Sequence, residues 1–529
     1  MTRSCEPAHP GLMVFSSRYT CRAIPEVSLA AFFRDAVVGR ANEIAVIEGP
    51  TGRSFTVGEL LDRSASVAHG LIARGIEPGD RVAFVCNNVP EVAFAYHGAI
   101  AAGAVAMMVN PASTVEELAK YFSVGRPRLV IAAAPQVAAI REVAPDVPVI
   151  AIEDAPDSEP LSALFGGSAV PPEVTIPPDA VAVMPYSSGT TGFPKGVMLT
   201  HRNVIAQCLA IDSVTDSNVI IPGAAVIAVL PFFHIYGIMA FLTYGLMHGA
   251  KLITMPRFEL EQYIELARRY EVPLLHLVPP ILLSLAKYPG ELHLPHLKSA
   301  LAGAAPLSAE LAAEFNERTG ATAYQVYGLT EVSGATHLNT TDCARRKPGS
   351  IGALIGNAEC RVVSTETGED VAPGEPGEIW VRGPFTMKGY FENPEATAHT
   401  IDGDGWLHTG DIGHVDADGD FWIVDRVKEL IKYKGMQVAP AELEAVLLQH
   451  PAVADCAVYP KSDAEAGEIP KAAVVLKGNA SATAEELLQF VQARVSSYKR
   501  VRALCFVDAI PKSPSGKILR RVLVKQEAE

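Results

Sequence analysis

The sequence predicts a mixed α/β protein with α/β and β subdomains in a large N-terminal domain, followed by a small α+β C-terminal domain. From residue 27 to about 335, helical patterns alternate with short apolar runs, which is typical of strand–helix–strand units. After residue 345, Gly and Pro become frequent and the apolar runs are short, which favours a β-rich subdomain. Beyond Asp425, a separate alternation of helices and strands covers about 100 residues, the size of a compact domain.

The first of these regions contains the apolar runs expected of buried parallel strands. They are Val82 to Cys86, Leu129 to Ala132, Ala180 to Met184, Leu274 to Val278 and Ala300 to Ala302. One helix has both ends marked, because Thr56 and Glu59 form a capping box and Gly75 follows the amphipathic segment. Strands are therefore expected to alternate with helices whose ends the sequence encodes locally.

The two later regions also contain patterns that predict strands and helices. In the β-rich region, strands are expected at Glu378 to Arg382 and Phe421 to Val424. The C-terminal unit is expected to contain helices at Ala441 to Gln449 and Ala484 to Val495, and strands near Ala457, at Ala472 to Leu476 and at Ala503 to Val507.

Composition favours small-molecule chemistry. The 529 residues include 44 Lys plus Arg against 59 Asp plus Glu, a net charge of −15 that argues against nucleic-acid or anionic-membrane partners. The eight cysteines form no CxxC pair, so neither a zinc site nor a disulfide framework is indicated, and a cytoplasmic location is expected. Residues 1–26 are expected to be a partly disordered extension without a signal peptide, and translation from Met1 or from Met13 remains open.

Residues 223–250 contain no Asp, Glu, Lys or Arg and exceed the about 20 residues of a spanning helix. Pro231 divides this stretch into a short run, Val226 to Leu230, and a second run from Tyr236. A buried strand followed by a covered helix is therefore predicted, rather than a membrane span.

The strongest local motif is YSSGTTGFPKG, Tyr186 to Gly196. Its glycines allow backbone N–H groups to approach an anion, its four hydroxyls donate hydrogen bonds, and Lys195 supplies positive charge. It is not a P-loop, because Phe193 and Pro194 separate the lysine from the preceding glycine. We expect a polyphosphate-binding loop between a buried strand and a helix near Asn203 to Ala210.

Four further motifs follow in order: YGLTE (327–331), TGD (409–411), DRVKELIKYKG (425–435) and PKSPSGK (511–517). Together the five motifs resemble the adenylate-forming superfamily of acyl-CoA synthetases, luciferases and adenylation domains. LPFFHIYG (230–237) and DRVKELIKYKGMQVAPAELE are most similar to 4-coumarate–CoA ligases and their bacterial aryl-CoA ligase relatives. The resemblance covers nearly the whole chain.

The resemblance implies an N-terminal adenylation domain at residues 27–425, a hinge at 426–428 and a mobile C-terminal domain at 429–529. Such enzymes convert an acid and ATP to acyl-AMP and pyrophosphate, and then use coenzyme A to release acyl-CoA and AMP. Because one carbonyl must meet different groups in the two steps, the small domain rotates between them.

The resemblance also implies the roles of individual residues. Lys517 would bridge carboxylate and phosphate oxygens, Glu331 would hold Mg²⁺, and Lys432 and His234 complete the catalytic set. The implied ATP and AMP contacts are Ser187, Ser188, Gly189, Thr190, Thr191, Gly192, Lys195, Ala304, Ala305, Gln325, Tyr327, Thr330, Asp411, Arg426, Lys428 and Gln437. Asp411 would accept hydrogen bonds from the ribose hydroxyls, with Arg426 beside it.

The implied acid pocket and CoA site use other residues. The pocket set is Tyr236, Ala240, Gly303, Ala304, Val326, Gly328, Gly334 and Ala335, and the CoA set is Arg257, Lys434 and Gly435. Plant coumarate ligases usually have Gly where this chain has Val326, so a compact aryl acid of the benzoate, anthranilate or cinnamate type is expected.

ATP, Mg²⁺ and coenzyme A are thus the expected cofactor and co-substrates, and the protein is expected to be a monomer or homodimer. Alternatives stay open: an adenylation enzyme that loads a carrier protein, a medium-chain fatty acyl-CoA ligase, a luciferase-like oxygenase, and an inactive acyl-binding protein. A downstream synthase is a further expected partner.

Overall fold

The structure, a computed structural model, describes residues 12–187, 194–215, 217–342, 345–427, 429–433, 436–463, 466–478, 480–495, 497–513 and 516–528. Within those ranges the predicted fold class is confirmed: α/β and β subdomains form a large N-terminal part, and an α+β unit follows. Residues 1–11 of the expected N-terminal extension lie outside the described residues.

An eight-stranded sheet forms the centre of the N-terminal part. In spatial order its strands are Gly389–Tyr390, Lys195–Thr200, Val181–Ser187, Val105–Met108, Arg81–Val85, Leu129–Ala132, Val149–Ala151 and Glu159–Pro160. The last six run parallel, and the first two join antiparallel at one edge. Strands such as Leu129–Ala132 are buried throughout, which explains why they read as continuous apolar runs.

Two further sheets extend this α/β architecture. One contains Ala225–Ala228, Lys251–Thr254, Ile44–Glu48 and Ser54–Thr56. The other contains Leu274–Leu277, Ser299–Ala302, Thr322–Leu329, Gly334–Leu338 and Ala353–Leu354. In the second sheet the first three strands are parallel, so their carboxyl ends lie at one edge.

The predicted β-rich region is an antiparallel five-stranded sheet. Its strands are Phe15–Ser16, Glu359–Val363, Gly377–Arg382, Leu407–Val415 and Phe421–Arg426. In Gly377–Arg382, buried and half-buried residues alternate, as expected for a sheet with one covered face.

The C-terminal unit has its own sheet and its own apolar core. Its strands are Met436–Val438, Ile431–Tyr433, Gly467–Leu476, Val453–Asp463 and Ala503–Phe506. The last of these strands runs parallel to Gly467–Leu476, and the other pairs are antiparallel.

Helices cover the sheets. In the N-terminal part they are Leu29–Val37, Val57–Ala73, Pro90–Ala101, Val115–Gly125, Val137–Val143, His201–Asp212, Ile235–Gly237, Tyr244–Met247, Leu260–Arg269, Pro279–Ala286, Ala309–Thr319 and Pro394–Thr400. In the C-terminal unit they are Pro440–Leu448, Ala484–Gln492 and Arg520–Ala528. Short 3₁₀ turns lie at Ala134–Gln136, Leu161–Leu164, Thr330–Val332 and Ser497–Lys499, and a π-helix lies at Ile238–Thr243.

Local signals account for several helix ends. The predicted capping box at Thr56 and Glu59 is present in both directions. The helix predicted at 484–495 begins at Ala484 as expected but ends at Gln492, three residues early. The helix Pro90–Ala101 is covered on nearly all sides, so its sequence is apolar all round rather than amphipathic.

The uncharged stretch 223–250 folds as a buried strand, Ala225–Ala228, followed after Pro231 by the helical segment that begins at Ile235. This agrees with the predicted division. Across the described ranges, no helix has both the length and the apolarity needed to cross a bilayer.

Candidate active site

The two ends of the predicted phosphate-binding motif lie on adjacent antiparallel strands. Lys195 pairs with Ser187, and Gly196 pairs with Tyr186, across antiparallel strands. The predicted helix follows the motif, at His201–Asp212, but the strand Lys195–Thr200, which was not predicted, lies between them. Its short GVML core was too brief to be recognised as a strand, although the side chains of Val197 and Leu199 are completely buried. Ser188, Gly189, Thr190, Thr191 and Gly192 lie outside the described residues.

A second group of predicted site residues follows the strand Ser299–Ala302, and we call the region between this segment and the strands of the phosphate motif the cleft. Ala304 has φ +67°, a left-handed conformation that is uncommon for a residue with a side chain. A Cβ on Gly303 would lie 2.8 Å from both Tyr236 Cε1 and Val326 Cγ1, so only glycine fits against these side chains. Ala304 and Ala305 remain half-buried at the surface of the cleft. Strained backbone of this kind is frequent at ligand sites.

A polar triad with a buried carboxylate at its centre lies beside this segment. The Tyr327 hydroxyl donates to Asp411 Oδ2 at 2.7 Å, and Arg426 Nε lies 3.0 Å from Asp411 Oδ1. Burial and the Asp411 charge raise the pKa of Tyr327 well above its usual value, so the phenol keeps its proton. Burial alone would lower the pKa of Arg426, but Asp411 raises it overall. The Asp411 carboxylate is thus held in place as a hydrogen-bond acceptor.

The loop that carries Asp411 has its own support. Gly410 N–H donates to Glu378 Oε1 at 2.9 Å, and the Thr409 hydroxyl donates to the Ile379 carbonyl at 2.6 Å. Gly410 has φ +71°, a conformation that favours glycine. Sequence reasoning did not single out Glu378, since a glutamate at a strand edge is ordinarily a solvated side chain.

Glu331 lies on the 3₁₀ turn Thr330–Val332, directly after the strand Thr322–Leu329. Its Oε1 accepts a hydrogen bond from the Tyr390 hydroxyl at 2.9 Å, and Thr330 beside it is buried. The described residues contain no group of three or more His, Cys, Asp or Glu side chains that would form a metal cage. A single carboxylate near a phosphate-binding loop suits Mg²⁺, which is commonly bound by one or two carboxylates plus substrate phosphates.

Lys517 approaches this cleft from the C-terminal unit. Its own backbone is tied into a tight turn, with Lys517 N–H donating to Ser513 Oγ at 3.1 Å. A Cβ on Gly516, which has φ +80°, would lie 2.9 Å from Pro280 Cγ, so the turn packs against the N-terminal part. Burial and the Arg426 charge lower the pKa of the Lys517 ammonium, while Asp411, Glu331 and Glu429 oppose that shift. The structure thus brings Lys517 close to Asp411, Glu331 and Arg426.

His234 also interacts electrostatically with Lys517. Burial, together with the Lys517 charge, lowers the pKa of His234 to about 4, so the imidazole is neutral near pH 7. Its Nδ1 accepts from Tyr236 N–H at 3.3 Å, which leaves Nε2 as the protonated nitrogen.

The predicted acid-pocket residues come from four elements. Tyr236 and Ala240 lie on the helical segment after Pro231, where a π-helix covers Ile238–Thr243, a feature often found at functional sites. A Cβ on Gly328 would lie 1.8 Å from the Gly334 carbonyl oxygen, so these two strands approach closely. Ala335 accepts a hydrogen bond at its carbonyl from the buried Gln207 side chain at 2.9 Å.

Gln325 supports the cleft through its side chain. Its Oε1 accepts from Leu307 N–H at 2.8 Å, and its Nε2 donates to the carbonyls of Gly349 and Ser350 at 3.0 and 3.3 Å. The amide therefore connects Leu307, just after the Gly303–Ala305 segment, to the loop at Gly349 and Ser350.

Of the residues expected to act in thioester formation, the structure describes Lys432 and Arg257. Lys432 is exposed on the strand Ile431–Tyr433, and Arg257 is also exposed. Lys428, Lys434 and Gly435 lie outside the described residues, as does the side chain of Gln437.

The chain belongs to the AMP-binding enzyme family. The family model described as "AMP-binding enzyme" matches residues 33–391, and the model of the AMP-binding enzyme C-terminal domain matches residues 442–517.

Relatives match over nearly the full length. The chain is 41% identical to 4-coumarate–CoA ligase 2 of Nicotiana tabacum, with 90% of each chain covered. It is 40% identical to 4-coumarate–CoA ligase 1 of Petroselinum crispum, covering 97% of this chain and 96% of that protein. Among solved structures, ATP-bound MatB from Rhodopseudomonas palustris is similar with a TM-score of 0.88 and 29% identity, covering 96% of this chain and 99% of that one.

Proposed function

We propose that this protein is an ATP-dependent acid–CoA ligase that acts on a compact aromatic acid. In the first step a substrate carboxylate oxygen attacks the α-phosphorus of ATP, an acyl-AMP bond forms, and pyrophosphate leaves. In the second step the thiol of coenzyme A attacks the acyl carbonyl, the thiol proton is lost, and AMP leaves as the thioester forms. The similarity to 4-coumarate–CoA ligases over nearly the whole chain supports this reaction.

The observation that carries the proposal is that the turn with Lys517 packs against Pro280 of the N-terminal part, where the ammonium interacts electrostatically with Asp411, Glu331 and His234. Two anions meet when the carboxylate attacks the phosphate, so a cation at that point stabilises the charge that develops in the transition state. We assign Lys517 this role. Mg²⁺ held by Glu331 would neutralise phosphate charge when it is bound.

The nucleotide is assigned to the cleft between the Gly303–Ala305 segment and Tyr327. Asp411 would accept the ribose hydroxyls, because each of its oxygens has a further lone pair beyond the bonds to Tyr327 and Arg426. Thr330, Ser187, Lys195 and the rest of the glycine-rich loop are assigned to the phosphates.

The acid is assigned to the space lined by Tyr236, Gly303, Val326 and Gly334. Val326 Cγ1 lies where a side chain on Gly303 would collide, so both residues limit the width of this pocket. A planar aryl group fits a narrow apolar slot better than a long flexible chain does.

For the second step we assign a domain rotation about residues 426–428, between parts at 27–425 and 429–529. Lys432, Lys434, Gly435 and Arg257 would then act in the thioester-forming arrangement. The exposure of Lys432 in the present arrangement supports this division of roles.

The test is a panel of benzoates, anthranilate, cinnamates and medium- and long-chain fatty acids with ATP, Mg²⁺ and CoA. We expect acid-dependent pyrophosphate release and aryl-CoA in the mass spectrum. A phosphopantetheinylated carrier protein offered in place of CoA separates the competing acceptor. Faster turnover of long-chain than of aryl acids, or transfer to the carrier alone, would contradict the proposal.

A further inference from the structure

The segment 387–391 forms a short strap beside the phosphate hairpin. Its strand Gly389–Tyr390 pairs antiparallel with Lys195–Thr200, and Val197 faces Tyr390 in the register. Backbone hydrogen bonds from Lys388 to Met198 and from Phe391 to Gly196 measure 2.9 and 2.8 Å. The strap therefore has a fixed position relative to the root of the phosphate loop.

The same strap is attached to the turn that carries Glu331. Met387 N–H donates to the Glu331 carbonyl at 2.8 Å, and the Ser333 hydroxyl donates to the Phe385 carbonyl at the same distance. The strand Lys195–Thr200 and the turn Thr330–Val332 are far apart in the sequence. Both are thus hydrogen-bonded to the chain segment around Gly389–Tyr390.

Tyr390 links these elements through its side chain. Its hydroxyl donates to Glu331 Oε1 at 2.9 Å and also interacts with the side chains of Thr400 and Ser187. The Lys195 ammonium lies 4.5 Å from the centre of its ring, within the range of a cation–π contact. The residue is only 5% exposed. One buried side chain therefore contacts the proposed metal ligand and two residues at the root of the phosphate loop.

The chemistry of the phenol suits an orienting role. The phenol has one O–H donor, and in the structure this donor points to a carboxylate oxygen of Glu331. A donor on Oε1 fixes the rotation of the carboxylate and directs its remaining lone pairs. Hydrogen bonds of this kind to metal ligands typically govern metal affinity.

We propose that Tyr390 is a positioning residue for adenylation, which orients Glu331 toward the divalent cation and keeps Lys195 beside it. This inference rests on the proposed function. Tyr390 touches neither substrate nor cofactor in this role; it acts through Glu331 and Lys195.

The test is the substitution Tyr390→Phe, which removes the hydroxyl and keeps the ring beneath Lys195. Mn²⁺ is titrated into the protein with bound α,β-methylene-ATP, which cannot form the adenylate, and free Mn²⁺ is followed by electron paramagnetic resonance. We expect Mn²⁺ affinity to fall about 10-fold, the lower end of the usual loss when an outer partner of a metal ligand is removed. The rate of thioester formation from supplied acyl-AMP should stay unchanged.

Tyr244→Phe is the matched control, because Tyr244 donates to the Asp212 carboxylate at the same 2.9 Å, and neither residue is assigned to the site. This variant should leave Mn²⁺ affinity unchanged. In a Glu331→Gln background, Tyr390→Phe should cause no additional loss, since the two residues act as one unit.

Equal Mn²⁺ affinity in wild type and Tyr390→Phe would overturn the role of Tyr390. An additive loss in the Glu331→Gln background would also overturn it, since the effect would then bypass Glu331. If the wild type forms an adenylate with none of the acids in the panel, the proposed function itself fails, which is a separate result from either of these.

Discussion

Removing the Lys517 ammonium should abolish adenylation and spare thioester formation. Burial and the Arg426 charge lower the pKa of the Lys517 ammonium, while the charges of Asp411 and Glu331 oppose that shift. A unit charge about 4 Å from an opposite charge, at an effective dielectric constant of about 20, contributes about 4 kcal/mol. At about 1.4 kcal/mol per decade, Lys517→Ala should slow acyl-AMP formation about 1,000-fold.

The assay separates the two half-reactions. Pyrophosphate release in a single turnover reports adenylation, and conversion of synthetic acyl-AMP to acyl-CoA reports the second step. Arg521→Ala, which removes an exposed cation from the same C-terminal segment, should change neither rate. Loss of both half-reactions in Lys517→Ala, or of neither, would refute the role assigned to this lysine.

Three further changes test other parts of the molecule. Asp411→Asn, which removes the charge paired with Arg426, should raise the Kd for ATP about 10- to 100-fold by calorimetry; an unchanged Kd would contradict the ribose assignment. Val326→Gly should raise the kcat/KM ratio of 4-coumarate to benzoate about 10-fold, and a constant ratio would show that this side chain does not limit the pocket. Burial lowers the pKa of His97 to about 4, so the unfolded chain binds a proton below about pH 6.5 that the folded chain does not, and stability is lost as the pH falls. His97→Gln should therefore reduce the loss of unfolding free energy between pH 7 and pH 5 by about 2 kcal/mol in urea titrations, and an unchanged loss would argue against a neutral buried imidazole.

Much of the fold could be predicted because its signals are local. The capping box at Thr56 and Glu59, the continuous apolar run at Leu129–Ala132 and the break at Pro231 each depend on neighbouring residues alone. The strand Lys195–Thr200 escaped prediction because its burial depends on its partners in the sheet, Val181–Ser187 and Gly389–Tyr390.

Prediction of the candidate site from the sequence has the same limit, because it too depends on local signals. Motifs selected Asp411, Glu331 and Lys517, whose residue types fit the expected chemistry. Tyr390 and Glu378 carry no such signal, because a tyrosine in a glycine-containing segment and a glutamate on a strand look ordinary. Their contacts with Glu331 and Gly410 arise only when distant segments pack together.

The hairpin that carries the glycine-rich loop has an electrostatic consequence. In a strand–loop–helix phosphate site, the positive end of a helix dipole faces the anion. Here the loop returns into a strand, and the next helix closes its own amino terminus with Thr200 and Asn203. The negative charge of a bound triphosphate must then be neutralised by mobile cations and by long charged side chains. Nucleotide affinity should therefore weaken steeply as ionic strength rises.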